Sequence, residues 1–140
     1  MTGTGSDGTD RLPVDVLAVV AAGGALGAAA RYGVATAWPT PSGHFPWTTL
    51  IINLTGCALL GILMAYVTGR IAPHRLVRPF LGTGVLGGYT TFSTYAVETR
   101  GLLAADRPLL ACGYVLGTLA GALTAVWLGG RLLSRIRPAR

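Results

Sequence analysis

The sequence predicts an all-α integral membrane protein built from four transmembrane helices. Of its 140 residues, 51% are hydrophobic and only 11% are charged, whereas a typical soluble domain has roughly 25% charged residues. Four apolar segments, at about residues 14–34, 47–68, 79–97 and 108–130, each approach the ~20 residues that a helix needs to cross a bilayer. Lipid offers no partners to backbone amides and carbonyls, so these segments are expected to be helical.

The length of the chain allows one compact unit. Residues 1–12 are rich in Gly, Thr, Ser and Asp and are predicted to form a disordered tail. Residues 13–131 form the predicted four-helix membrane domain, and residues 132–140 form a basic cytoplasmic tail. The connections at 38–46, 69–78 and 98–107 are short. A large soluble catalytic domain is therefore excluded.

The arginines predict the orientation of the chain in the membrane. The formal net charge is +6, and every one of the 11 Lys and Arg positions is Arg. Eight arginines lie on the side that holds both termini and the second connection, against three elsewhere when Arg31 is included. Both termini should then be cytoplasmic, with the protein in the plasma membrane. The arginines lie at segment ends, which favours anionic lipid over nucleic acid as the partner.

The third apolar segment breaks the rules for a transmembrane helix. Between Gly82 and Glu98 its glycines come first and its hydroxyl residues follow: Gly82, Gly84, Gly87, Gly88, then Thr90, Thr91, Ser93, Thr94. Both residue types weaken a helix, so we expect a break at mid-membrane depth. Close helix packing through small residues would explain the glycines alone. The aromatic residues Phe92 and Tyr95, interleaved with hydroxyls, favour a polar pathway.

The side chains in and near this segment suit a small anion. Phe92 and Tyr95 have positively polarised ring edges, and the Ser93 hydroxyl donates hydrogen bonds. Asn53, midway along the second segment, carries an amide that either lines a pathway or bonds between helices, and the residue alone leaves both open. Tyr114 and Thr118 are four residues apart and share a helix face. Such donors replace the water that an anion sheds.

Three other features are less informative. Arg31 ends the first helix, and snorkelling, a bond to a loop and attraction of an anion all remain open for it. Glu98, at the end of the third segment, is an ordinary interfacial carboxylate. Cys57 and Cys112 lie in apolar runs and have no metal-binding spacing, so they are interpreted as small buried hydrophobes.

Three motifs, in order along the chain, resemble those of the Fluc (CrcB-type) fluoride channel family. They are GGALGAAARY from Gly23, NLTG from Asn53 and GGYTTFSTY from Gly87, and the similarity covers about residues 14–130. The resemblance implies an antiparallel, dual-topology dimer with two fluoride pathways along the subunit interface. It also implies passive fluoride export that rejects chloride and lowers cytoplasmic fluoride.

The resemblance also assigns roles to individual residues. Phe92 corresponds to a pore phenylalanine, and Tyr95 stands where a second phenylalanine is usual. Asn53 matches the pore asparagine. Tyr114 and Thr118 match a polar track whose next position, Ala122, lacks the usual hydroxyl. The backbone carbonyls of Gly87 and Thr90 would hold a structural sodium ion at the dimer interface, and the positions matched to vestibule or structural roles are Arg31, Thr91 and Glu98.

The arginine bias raises the hypothesis that the second subunit is an oppositely oriented homologue and not a second copy of the chain.

Functions of other classes remain open from the sequence. A small proton-coupled cation or multidrug exporter would need a membrane-embedded carboxylate, and the nearest acids, Asp15 and Glu98, lie at segment ends. A non-transporting membrane scaffold would fit the glycines alone. An enzyme is not expected, because no nucleophile–base pair, metal cluster or phosphate-binding loop is visible.

Overall fold

The computed structural model describes residues 13–69 and 74–136, and all the secondary structure in these ranges is helical. Helix α1 precedes α2, a π-helix leads into the single turn of α3, and α4 and α5 follow. The bounds are Val14–Ala37 (α1), Trp47–Thr68 (α2), Arg78–Leu86 (π-helix), Gly87–Tyr89 (α3), Phe92–Ala104 (α4) and Pro108–Ile136 (α5). The predicted tail at residues 1–12 lies outside the described residues.

Three helices of the described chain are long and apolar enough to cross a membrane. They are Val14–Ala37, Trp47–Thr68 and Pro108–Leu133, with mean hydropathies of 1.5, 2.1 and 1.8. This confirms the coarse prediction of a helical membrane protein. The predicted third span, residues 79–97, is divided among the π-helix, α3 and α4, so its crossing of the membrane stays a prediction. Helix α5 runs to Ile136, past its predicted end at residue 130.

Glycines let the helices approach at backbone distance. A Cβ atom on Gly23 would lie 2.6 Å from the carbonyl oxygen of Phe80, and one on Gly27 would overlap the carbonyl oxygen of Val85. Both contacts hold α1 against the π-helix. Without a hydrophobic driving force between helices in lipid, this close van der Waals packing is what stabilises helix pairs. The first motif therefore has a packing role.

Helices α2 and α5 lie side by side and run in the same direction. Near their centres a Cβ on Gly121 would lie 2.8 Å from the side chain of Leu54. Further along, Gly61 packs on the backbone of Val126, and Gly129 packs on that of Ala58. Residues at similar heights on the two helices therefore face each other throughout the pair, and this register positions the site.

A small core at one end of the fold joins α2, α4 and α5 to the α1–α2 connection. Leu50, Leu102, Ala111 and Tyr114 are buried there, with Phe45 packed against them. The α1–α2 connection is fastened by the Thr48 hydroxyl, which donates to the carbonyl oxygen of Trp38 at 2.6 Å. This core holds Tyr114, which in turn binds Glu98.

The outer surface is apolar. Large hydrophobic side chains such as Leu26, Leu109 and Leu123 are 60%, 89% and 65% exposed. A soluble monomer does not expose apolar area on this scale. These side chains must face lipid or another protein subunit.

Candidate functional site

The backbone leaves helical geometry at two adjacent threonines. Thr90 has φ −75° and ψ 157°, and Thr91 has φ −145° and ψ 125°. Helix α3 ends just before them, at Tyr89, and α4 begins just after them, at Phe92. Thr91 caps α4, because its Oγ1 accepts a hydrogen bond from the backbone N–H of Thr94 at 3.2 Å.

Asn53 of α2 replaces helical hydrogen bonds that Thr91 lacks. The Nδ2 atom of Asn53 donates to the carbonyl oxygen of Thr91 at 3.0 Å, and the backbone N–H of Thr91 donates to Oδ1 of Asn53 at 2.9 Å. Unpaired backbone groups are costly away from water. Asn53 therefore holds the extended segment in place. Its Nδ2 still has a second hydrogen to donate, since an amide nitrogen carries two.

A cavity of about 290 Å³ lies beside these two threonines. Its wall combines apolar side chains with a few polar groups from α2, α4, α5 and the extended segment. The lining residues are Asn53, Cys57, Thr90, Thr91, Phe92, Tyr95, Thr118, Leu119 and Ala122. The structure thus brings together four of the six predicted fluoride-pathway residues: Asn53, Phe92, Tyr95 and Thr118.

Thr118 brings to this wall a buried hydroxyl without a partner. Its Oγ1 is buried and has no hydrogen bond, the one such side-chain atom in the described part of the chain, and the residue is 8% exposed. Leaving a buried hydroxyl unpaired costs about 1–3 kcal/mol. A buried hydroxyl of this kind is expected to donate a hydrogen bond to a ligand or a water molecule. With the second Asn53 hydrogen, the cavity wall has two hydrogen-bond donors for a ligand.

Tyr114 has a different partner from the one expected for a pathway residue. Its hydroxyl donates to Oε2 of Glu98 at 2.8 Å, and the Thr49 hydroxyl donates to Oε1 of Glu98 at 2.8 Å. The tyrosine is 0% exposed. Two hydroxyls thus hold the Glu98 carboxylate about one helical turn from Asn53. Glu98 also lines a second cavity of about 480 Å³ under the α1–α2 connection.

Sequence reasoning missed Thr49. It stands four residues before Asn53 on the same face of α2, and that spacing was the available signal. A threonine in an apolar helix usually bonds its own backbone, so nothing marked it as a partner for a carboxylate.

An aromatic row joins the cavity to the buried end of the fold. The ring centroids of Phe92 and Tyr95 are 5.6 Å apart, and those of Tyr95 and Tyr114 are 5.2 Å apart. Phe45 meets Tyr114 edge to face at 5.5 Å and 80°. Phe92 itself is 79% exposed. It therefore lies both in the cavity wall and on the outer surface of the chain.

Arg31 bonds to the backbone of α3. Its Nε donates to the carbonyl oxygen of Gly88 at 3.1 Å, so Arg31 makes a structural hydrogen bond, while attraction of an anion stays a prediction. The guanidinium also brings a positive charge to a third cavity, of about 310 Å³, that Thr49, Thr91 and Thr94 share.

Ser93 is placed less centrally than expected. Its Oγ lies 3.3 Å from Oγ1 of Thr91, the residue is exposed, and it does not line the 290 Å³ cavity. It is a neighbour of the extended segment and not part of the cavity wall.

The predicted sodium ligands fit a hard cation. In a continuous α-helix the N–H groups of Thr91 and Thr94 would donate to the carbonyls of Gly87 and Thr90. Here the Thr91 N–H donates to Asn53, and the Thr94 N–H donates to Thr91 Oγ1. The two carbonyls therefore lose their helical donors. Backbone carbonyls at a helix end that have lost their helical donors suit sodium. A Cβ on Gly87 would meet only the Gly82 oxygen, at 3.8 Å, so there is room beside it. In the described ranges no group of three His, Cys, Asp or Glu side chains could hold a metal.

A cavity with a few polar groups, in a chain with three helices long and apolar enough to cross a membrane, is typical of a membrane transport protein. The family model described as CrcB-like protein, Camphor Resistance (CrcB), matches residues 18–130, and the chain belongs to this family. The resemblance seen in the three motifs is thereby confirmed.

Named relatives agree with this assignment. The chain is 53% identical over 126 residues to the Fluoride-specific ion channel FluC 1 of Streptomyces coelicolor, covering 90% of this chain and 82% of that protein. It is 51% identical over 119 residues to FluC 2 of Nocardia farcinica, covering 84% and 85%. It is 46% identical over 110 residues to FluC of Paracoccus denitrificans, covering 79% and 87%. These relatives are named as ion channels, which confirms the expectation that the protein is not an enzyme.

Proposed function

We propose that the protein is a fluoride-selective channel that lets fluoride leave the cytoplasm down its electrochemical gradient. The observation that carries this proposal is the buried Thr118 hydroxyl without a partner, in the same cavity wall as the Asn53 amide. The names of the relatives supply the identity of the ion.

Fluoride is small and strongly hydrated, so the channel must offer donors in place of water. Thr118 Oγ1 and the free Asn53 hydrogen supply them. The ring edges of Phe92 and Tyr95 add weaker positive potential at the cavity mouth. Chloride is larger and binds water less strongly, so it gains less from the same short-range donors and is rejected.

The working unit is an antiparallel dimer of two subunits, each with four crossings. In it, the π-helix with α3 and the following α4 form the third crossing, interrupted at mid-membrane depth. Phe92 supports this proposal, because a cavity-lining aromatic that is 79% exposed leaves one side of the pathway for a second subunit to close. The exposed backbone at Gly87 would lie at the same interface.

Sodium is the structural ion of this dimer. The carbonyl oxygens of Gly87 and Thr90 in each subunit would bind it. The negative C-terminal end of the helix that closes at Tyr89 favours a cation at that place. The ion would join the two interruptions and would not be transported.

The arginine distribution supports a plasma-membrane protein with both termini in the cytoplasm. A single orientation then makes an oppositely oriented homologue the preferred second subunit. Topology tagging of the chain expressed alone tests this, and an equal mixture of the two orientations would support pairing with itself.

The competing functions have less support. Proton-coupled exchange needs a carboxylate that is free to trade a proton for a cation, but both oxygens of Glu98 accept hydroxyl hydrogen bonds. Asp15 is paired with Arg75. A scaffold has no need of a buried hydroxyl without a partner at Thr118.

The deciding experiment is fluoride efflux from liposomes loaded with potassium fluoride, followed by a fluoride electrode after valinomycin is added. We expect release from vesicles that contain the protein, alone or with its homologous partner, and none from empty vesicles. Equal release of chloride in the matched assay would reject selectivity, and proton-dependent release of a drug cation without fluoride would favour the exporter.

A further inference from the structure

Side chains on α2 and α5 face each other at three successive levels, and at the first two levels both side chains are polar. At the first level Thr49 and Tyr114 bind the same carboxylate of Glu98. At the second level Asn53 and Thr118 line the 290 Å³ cavity. Each level is four residues beyond the previous one on both helices, a rise of about 6 Å, and the parallel register of α2 and α5 keeps the levels aligned.

The third level consists of Cys57 and Ala122. Both residues line the same cavity as Asn53 and Thr118. Ala122 offers no polar atom, so the Cys57 thiol supplies the polar side-chain atom that this pair brings to the cavity wall. A thiol is a weak hydrogen-bond donor and is smaller than most apolar core side chains. The cysteine therefore faces the cavity, unlike the buried hydrophobe that its apolar sequence context predicts.

We infer that Cys57 forms part of the wall of the conduction pathway and is a site at which thiol-binding reagents block the channel. The inference rests on the proposed fluoride pathway. Two observations point to it together: the cysteine lines the cavity, and the unpartnered Thr118 hydroxyl in the same wall marks that cavity as a ligand site. A bulky group on the sulfur would then stand beside the donors that fluoride must reach.

Mercuric chloride is the probe, because it is small, bonds to thiols and is uncharged as HgCl₂ when chloride is dilute. The Cys57 sulfur forms a bond to mercury, one chloride leaves, and the thiol proton passes to the buffer. No oxidant or reductant takes part. An added excess of a small dithiol reverses the reaction by binding the mercury instead.

The chain provides its own control. Its two cysteines are Cys57 and Cys112, and Cys112 is exposed on α5 and does not line the cavity. The Cys112→Ser variant leaves only Cys57, and the Cys57→Ser variant leaves only Cys112, with Cys57→Ala as a second version. The flux of each variant after mercury is divided by its own flux before mercury, and the intact mass reports how many mercury atoms are bound.

We expect the flux of Cys112→Ser to fall about tenfold or more with one mercury bound, since a group fixed in a narrow pathway obstructs every passing ion. The dithiol should restore it, and Cys57→Ser or Cys57→Ala should keep its flux. Mercury bound at Cys57 with unchanged flux would overturn the proposal, and so would equal block of the variants that lack Cys57. The failure of untreated protein to conduct fluoride would instead reject the proposed function, so the two failures are distinguishable.

Discussion

The side-chain amide of Asn53 and the backbone of Thr91 are joined by two hydrogen bonds, at 3.0 and 2.9 Å. They lie 38 residues apart in sequence. This pairing satisfies both backbone groups of a residue that has left helical geometry in an apolar surrounding. It lets an extended segment lie beside the 290 Å³ cavity, and it fixes where the second Asn53 hydrogen points.

Asn53→Ala should lower both stability and fluoride flux. It leaves the N–H and the carbonyl of Thr91 without partners, at a cost of about 1–3 kcal/mol for each buried group. Thermal unfolding of the purified protein and liposome efflux measure the two effects. Thr68→Ala, at the exposed end of α2, is the control and should behave like the wild type. Unchanged stability in Asn53→Ala would show that the pairing does not hold the segment.

Thr118→Val should separate stability from conduction. The substitution removes a buried hydroxyl without a partner, so the free energy of unfolding should stay the same or rise, by up to about 1–3 kcal/mol. Fluoride flux should fall about tenfold or more, because the passing ion no longer receives the hydrogen bond that Thr118 donates. Thr124→Val is the matched control, since Thr124 is exposed on α5 and bonds to its own helix. A Thr118→Val channel with wild-type flux would remove this hydroxyl from the pathway.

Thr49 and Tyr114 should be energetically coupled through Glu98. Each donates to a different oxygen of one carboxylate, so the loss of one hydrogen bond changes how much the other contributes to the free energy of unfolding. A double-mutant cycle with Thr49→Val and Tyr114→Phe should give a coupling energy of about 0.5–3 kcal/mol in unfolding. In Glu98→Ala the same cycle should give none. Additive effects in the presence of Glu98 would contradict a shared clamp.

Gly27→Ala should destabilise the packing of α1 on the π-helix by about 1–3 kcal/mol, the usual cost of overpacking. The new Cβ would overlap the carbonyl oxygen of Val85, and backbone cannot move aside as a flexible side chain can. Gly33→Ala is the control on the same helix, because a Cβ there meets nothing within 4 Å. It should be neutral or slightly stabilising. Equal thermal unfolding of the two variants would refute this account of the first motif.

If the proposed structural sodium is present, replacing sodium with potassium or choline should lower the thermal stability of the protein. An ion that binds only the folded assembly stabilises it in proportion to the logarithm of its concentration. Titration of sodium into sodium-free protein should raise the unfolding temperature, while choline at equal ionic strength should not. A midpoint that is the same in all three salts would argue against a structural sodium at Gly87 and Thr90.

Apolar length and composition predicted the helices well, since the crossing of a bilayer imposes both. Helix α2 has the predicted bounds of 47 and 68. Helix α1 runs three residues longer than expected, to Ala37 instead of 34, because helix ends in an aqueous interface are not set by hydropathy. The π-helix at Arg78–Leu86 had no signal in the sequence, since it depends on how glycine-lined helices pack.

Side-chain partners were harder to predict than helices. Glu98 was interpreted as an ordinary interfacial carboxylate, yet Thr49 and Tyr114 both bind it, and only the parallel register of α2 and α5 makes this apparent. Cys57 was interpreted as a buried hydrophobe, because in sequence its neighbours are apolar. Whether such a residue faces a neighbouring helix or a cavity is decided by tertiary packing, which one-dimensional patterns do not contain.

The central claim is that the cavity beside Thr90 and Thr91 conducts fluoride through the donors of Asn53 and Thr118. The most direct measurement is fluoride efflux from liposomes for the wild type and for Thr118→Val, after each is shown to be folded. The account predicts rapid, chloride-excluding efflux for the wild type and a much slower efflux for the variant. Wild-type vesicles that retain their fluoride, with or without the homologous subunit, would contradict it.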